Sequence, residues 1–141
     1  MNINQNLIRQ KIGNIQNCLN SIKNYTNNLD SSSLTDFKTQ DAVVINLERA
    51  IQASVDIATH IISANQFGST NSMKDSFVLL AKNNIISNEL SQKLIKMVGF
   101  RNIAVHAYDS LDISILESIL NNHLQDFESF YLEIIKSLDL K

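Results

Sequence analysis

Across its 141 residues the chain contains no proline and only three glycines, so the two strongest breakers of helices are nearly missing. Such a backbone favours long helices, and the apolar residues agree. Ile8, Ile12, Ile15, Leu19, Ile22 and Leu29 recur at spacings of three, four and seven, which places them on one face of a helix. This predicts a first helix from about Asn6 to Leu29, ended by a short loop at Asp30 and the Ser31-Ser32-Ser33 run. A second helix begins near Thr35 or Asp36 and runs to about Ser63, with Val44, Leu47, Ile51, Val55, Ala58 and Ile62 as its stripe. Gly68 to Asn71 form the next loop. Ser72-Met-Lys-Asp75 has the spacing of an N-terminal cap for a short helix through Lys82.

Asn83-Asn84 makes a turn, and Ser87 or Asn88 caps a fourth helix through Leu90, Leu94 and Met97, with Gly99 as a point where it can kink. A last helix opens at Asp112 or at Ser114-Ile-Leu-Glu117 and continues as one rod through Leu116, Ile119, His123, Phe127, Phe130, Ile134 and Leu138. No strand pattern of period two persists and nothing repeats internally. The expected fold is all-α, an antiparallel four-helix bundle with an additional short helix, in a single domain over residues 1–141.

Cys18 is the only cysteine, so no internal disulfide can form and the reducing cytoplasm is the expected compartment. The Asn-rich start (Asn2, Asn4, Asn6) does not resemble a signal peptide and reads as surface filler, and no apolar run approaches membrane-spanning length. A net charge of −2 argues against loose electrostatic binding of nucleic acid by the whole monomer. The distribution says more. Leu90 to Tyr108 holds no acid but contains Lys93, Lys96 and Arg101, whereas Asp109 to Lys141 has seven acids against two lysines. An anionic ligand is therefore drawn to the segment carrying Arg101 and His106.

That segment, Arg101-Asn-Ile-Ala-Val-His106-Ala-Tyr108, carries the chemistry. RNA brings its own nucleophile, the 2′-hydroxyl beside each phosphate. Cleavage needs a base for that hydroxyl, an acid for the leaving 5′-oxygen, and positive charge on the phosphorane. Histidine, with an unperturbed pKa of about 6.5, serves as acid or base near neutrality. Arginine grips phosphate oxygens through its planar fork. This chemistry requires neither metal nor cofactor. On a continuous helix Asn102 and His106 share a face at i and i+4, but Arg101 and His106 diverge by about 140°. Three resolutions stand: Arg101 reaches round on its stem, the helix ends or distorts, or two chains share a cleft. A symmetric dimer has the chemical attraction of supplying two histidines. The plain alternative is that Arg101 and His106 cap carbonyls or pair with Asp109 and Asp112.

Met97-Val-Gly-Phe-Arg-Asn-Ile-Ala-Val-His-Ala-Tyr108 resembles the signature of HepT-type toxins in the HEPN superfamily: Arg, four residues, His, one residue, Tyr. Ile51 to Ile62 is similar to that family's second-helix segment, and Phe77 to Leu80, Ile85-Ile86-Ser87 and Glu89-Leu90 follow in the matching order, so the resemblance covers roughly residues 40 to 135. The loop from Gly68 to Ser72 lacks the proline that relatives often carry there. The resemblance implies a HEPN-type bundle and a homodimer with the cleft between protomers. It also implies a metal-independent endoribonuclease toxin of a type VII toxin–antitoxin system, acting on cellular RNA such as tRNA. The implied partner is a minimal nucleotidyltransferase (MNT) antitoxin that AMPylates the motif tyrosine. Carried over residue by residue, Arg101 holds phosphate, His106 is the acid/base, Tyr108 is the modified residue, and Asn102 supports His106 or the sugar-phosphate. The rival reading is a non-catalytic helical subunit that docks a nucleotidyltransferase and positions its substrate.

Two readings stand for Asp56: a supporting group that orients Arg101 or a site histidine, or a half-buried pair with His60 that steadies the helix. His60 itself reads as structural, and His123 as a packed core or interface histidine. The three histidines lack metal-ligand spacing. Cys18 reads as a small core hydrophobe, and Phe127, Phe130 and Tyr131 as packing residues.

Overall fold

The computed structural model describes residues 3–140. Six helices succeed one another: α1 Gln5–Tyr25, α2 Phe37–Asn65, α3 Met73–Lys82, α4 Asn88–His106, α5 Ile113–Asn122 and α6 Leu124–Ser137. Short 3-10 turns cover Ser31–Thr35 and Tyr108–Ser110, and no strand occurs among the described residues. The expected all-α bundle is the observed one.

The apolar stripes set the packing. Ile8, Ile15 and Ile22 on α1 are fully buried, and so are Leu47, Ala50 and Ile61 on α2. Burying each of these Ile and Leu side chains contributes about 1.5–3 kcal/mol before chain entropy is charged against it. The two rods run antiparallel: the Asn4 N–H at the head of α1 donates to Nε2 of His60 near the tail of α2 (2.9 Å). Asn4 also caps α1 through its side chain, accepting from Leu7 N–H at 3.0 Å, so it is not mere filler; Asn2 lies outside the described residues. Across this layer α6 contributes Phe127 and Phe130, both fully buried, with Phe130 edge-on to Phe77 of α3 at 5.8 Å between ring centroids.

Two boundaries differ from the sequence expectation. α1 stops at Tyr25 rather than Leu29 because Thr26 turns its hydroxyl back onto the Ile22 carbonyl and accepts the Leu29 N–H. Asn27, Asn28 and Leu29 then adopt positive φ (48°, 65° and 70°), a conformation asparagine tolerates better than most residues. Leu29 still packs on the core, but from this turn and not from the helix stripe. The rod expected from Asp112 to Leu138 is two helices. His123 leaves the helical region (φ −125°, ψ −6°) and its Nδ1 lies 3.0 Å from Oδ2 of the buried Asp126, whose own N–H bonds the His123 carbonyl. This break lets α5 lie against the Ser31–Thr35 turn while α6 follows the bundle against α1, α2 and α4. At Gly99 the expected kink does not interrupt α4, which is helical from Asn88 to His106.

Candidate active site

Ser87 starts α4 by accepting the Leu90 N–H at 3.1 Å. Leu90, Leu94, Met97 and Ala104 then turn inward and fix the helix's rotation on the core. That rotation decides where the motif points. Arg101 follows the inward face and is half-buried, whereas Asn102 and His106 are exposed. The helix is unbroken from Arg101 to His106 and ends only at Ala107 (φ −147°, ψ 49°), whose N–H closes on the Ile103 carbonyl at 2.8 Å. Local distortion therefore does not bring Arg101 and His106 together, and their divergence of about 140° stands. Among the described residues Arg101, Asn102 and His106 make no side-chain hydrogen bond or ion pair, with Asp109, Asp112 or any other group. A guanidinium and an imidazole held unpartnered on a rigid helix end are available to an anion brought to them.

Lys96, Gly99, Ile103 and His106 succeed each other along the exposed side of α4. The ammonium-bearing Lys96 thus sits about 15 Å along the axis from His106 on the open face. Beside it, α4 and α5 frame a cavity of about 460 Å³ lined by Lys93, Lys96, Met97, Phe100, Ile119 and His123. Lys93 is drawn toward Glu89 at 3.5 Å. The face is cationic with apolar patches, for Ile103 and Val105 are 38% and 45% exposed.

Tyr108 behaves differently from its neighbours. The 3-10 turn after α4 carries it toward α2, where its hydroxyl donates a hydrogen bond to Oδ1 of Asp41. Withdrawal of the phenol from water, the bond to Asp41, and the charges of Asp41 and Glu48 push its pKa up to about 12. The phenol is therefore held protonated, while 39% of the residue remains exposed. Asp41 was not legible as a partner in the sequence, because 67 residues separate it from Tyr108. The only signal was that Asp41 and Glu48, seven residues apart, put two acids on one helix face.

Asp56 takes the other course. Its carboxylate accepts from Lys11 Nζ of α1 and Gln52 Nε2, both at 2.9 Å. Within this chain it is bonded neither to Arg101 nor to His60, which instead receives the Asn4 N–H. His123, expected as a packed core or interface histidine, is partly exposed beside Asp126. Cys18 is buried, and that burial raises its thiol pKa, as a packed hydrophobe requires. Among the described residues no group of three His, Cys, Asp or Glu side chains is placed to hold a metal ion.

The bundle thus carries Arg101 and His106 at the end of α4 and Tyr108 in the turn that follows it. A family model described as ribonuclease HepT-like matches residues 15–134. The chain is 44% identical over 131 residues to the mRNA nuclease HepT of Shewanella oneidensis, spanning 93% of this chain and 97% of that one. It is 27% identical over 133 residues to the tRNA nuclease HepT of Aphanizomenon flos-aquae, spanning 94% and 90%. A solved structure of tri-AMPylated Shewanella oneidensis HEPN toxin in complex with MNT antitoxin superposes with a TM-score of 0.87 at 44% identity, over 92% of this chain and 97% of that chain. The chain belongs to the HepT-like ribonuclease family.

Proposed function

We propose that this chain is the endoribonuclease toxin of a toxin–antitoxin pair, cutting cellular RNA without a metal and silenced by AMP placed on Tyr108. The observation that carries the reading is the end of α4: among the described residues Arg101 and His106 have no side-chain partner and are turned apart, beside an exposed tyrosine. In the cleavage step the 2′-oxygen attacks phosphorus and the 5′-oxygen leaves. Arg101 holds the phosphate oxygens as charge builds on the phosphorane, and His106 moves the proton. Asn102, one turn before His106 on the exposed face, holds the sugar-phosphate beside it. Asp56, committed to Lys11 and Gln52, supports the site only by fixing α1 against α2. The two relatives are named for different RNAs, mRNA and tRNA, so both belong in the substrate assay.

Because one rigid helix holds Arg101 and His106 on different sides, the complete cleft is assembled by a homodimer. Exposed Ile45, Ile103 and Val105, on or near the elements that carry the motif, supply apolar surface for that contact. No helix among the described residues is long and apolar enough to cross a membrane, and the cytoplasm, where RNA and ATP meet, is the proposed compartment. The partner is an MNT-type nucleotidyltransferase, as in the related complex. Added AMP sets phosphate charge and adenine bulk beside Arg101 and His106, where RNA phosphate otherwise binds.

The test compares wild type, Arg101→Ala, His106→Ala and Tyr108→Phe, each with and without the antitoxin. Loss of cleavage in both Ala variants, and an antitoxin-resistant Tyr108→Phe, support the reading. Cleavage by His106→Ala at the wild-type rate overturns it in favour of a docking subunit, and full activity in an obligate monomer overturns the shared cleft.

A further inference from the structure

We propose that Asp41 is the proton acceptor for the modification of Tyr108, a role for the toxin's own second helix in its own silencing. The inference rests on the reading of Tyr108 as the acceptor of AMP. Its ground is the hydrogen bond already made: the phenol hydroxyl donates to Oδ1 of Asp41 on α2, and among the described residues it is the one motif side chain with a polar partner. With the phenol pKa near 12, only about one molecule in 10⁵ carries a phenolate at pH 7. Preformed phenolate is therefore too scarce to be the nucleophile, and the acids that face Tyr108, Asp41 and Glu48, work against forming it. The proton has to leave as the new bond forms.

The balance is complete. The Tyr108 oxygen bonds to the α-phosphorus of ATP, the bond from that phosphorus to the bridging oxygen breaks, and pyrophosphate leaves with the electron pair. The phenol proton passes to Asp41. A carboxylate is a weak base toward free phenol, but the phenol becomes far more acidic as its oxygen bonds to phosphorus, and late in the step the transfer runs downhill. Asp41 already sits on the proton, so no rearrangement precedes the step. Afterwards the tyrosyl phosphodiester has no proton to donate and carries a negative charge beside Asp41 and Glu48. The bond to α2 cannot re-form, and repulsion turns the modified side chain away from α2.

The experiment uses the full chain, its cognate nucleotidyltransferase and α-labelled ATP, reading the rate of the first AMP addition from pH 6 to 9. Wild type, Asp41→Asn, Asp41→Glu and Tyr108→Phe are compared, with thermal melting and antitoxin pull-down as checks on folding and docking. Asp41→Asn should be slowed about 100-fold at pH 7, the usual scale of a lost general base, and should regain about tenfold per pH unit as hydroxide takes over. Asp41→Glu should restore most of the rate, and the wild type should vary little over the range. An Asp41→Asn chain modified at the wild-type rate overturns the proposal. If Asp41→Asn fails to fold or dock, the wild-type profile decides, since a tenfold rise per pH unit there overturns it as well. A wild-type chain that takes AMP elsewhere than Tyr108 overturns the proposed function instead.

Discussion

Two of the acids on helix α2, Asp41 and Asp56, lie about 22 Å apart along its axis, and they serve different parts of the molecule. Asp56 lies in the middle of the bundle and accepts from Lys11 of the neighbouring helix and from Gln52 of its own. Asp41 lies near the helix start and accepts from Tyr108, a residue of the α4 motif. The first contact joins scaffold to scaffold. The second joins scaffold to the residue proposed to receive AMP. Both are single carboxylates on one amphipathic rod, so residue type does not separate them; what faces them does.

Substitutions that touch only one end separate the two roles. The largest effect belongs at the motif. His106→Ala should lower RNA cleavage about 10²–10⁴-fold while leaving the melting temperature nearly unchanged, because the imidazole is exposed and unpartnered. A large drop in melting temperature would show that this end is scaffold after all. Charge reversal on the open face comes next. Lys96→Glu should raise the KM for RNA several-fold with kcat preserved, and the difference should shrink as salt is raised.

A smaller change is expected in the Tyr108 titration. With the phenol pushed up to about 12, folding favours its protonated form. That stabilisation is fully present below a pH of about 10 and is lost as pH rises from there through about 12. Ultraviolet titration of Asp41→Asn should show the phenol ionising closer to its ordinary range; an unchanged titration would mean that Asp41 does not hold it. Smallest is Asp56→Ala. Its ion pair with Lys11 is about one-third exposed, so the loss should be about 1 kcal/mol or less, seen as a modest fall in melting temperature. A collapse of RNA cleavage in Asp56→Ala would erase the distinction between the two acids.

These differences explain what could be read in advance. The long helices were legible because their stripes bury residues such as Ile15, Leu47 and Phe127, and burial imposes the helical period directly on the sequence. The Arg101–Tyr108 segment was legible because Arg, His and Tyr fall close together in an acid-free stretch and match the spacing of the family motif. The early stop of α1 was not, since it depends on the Thr26 hydroxyl turning back and on positive φ at Asn27 to Leu29. The break at His123 was hidden in the same way, by a side-chain contact with Asp126 inside an otherwise regular apolar stripe. Asp56 drew notice because it interrupts that period, yet a polar residue between two packed helices can be satisfied across the layer, as Lys11 does here. Asp41 attracted none, because an acid near the start of a helix is ordinary and its partner is distant in the chain.

The division of labour on α4 is tested most directly by RNA cleavage in the presence of excess EDTA. Wild-type chain should cut RNA and leave 2′,3′-cyclic phosphate ends, and His106→Ala, folded and as stable as wild type, should leave the RNA intact. Equal cleavage by the two proteins would contradict the assignment of the α4 end as the catalytic site.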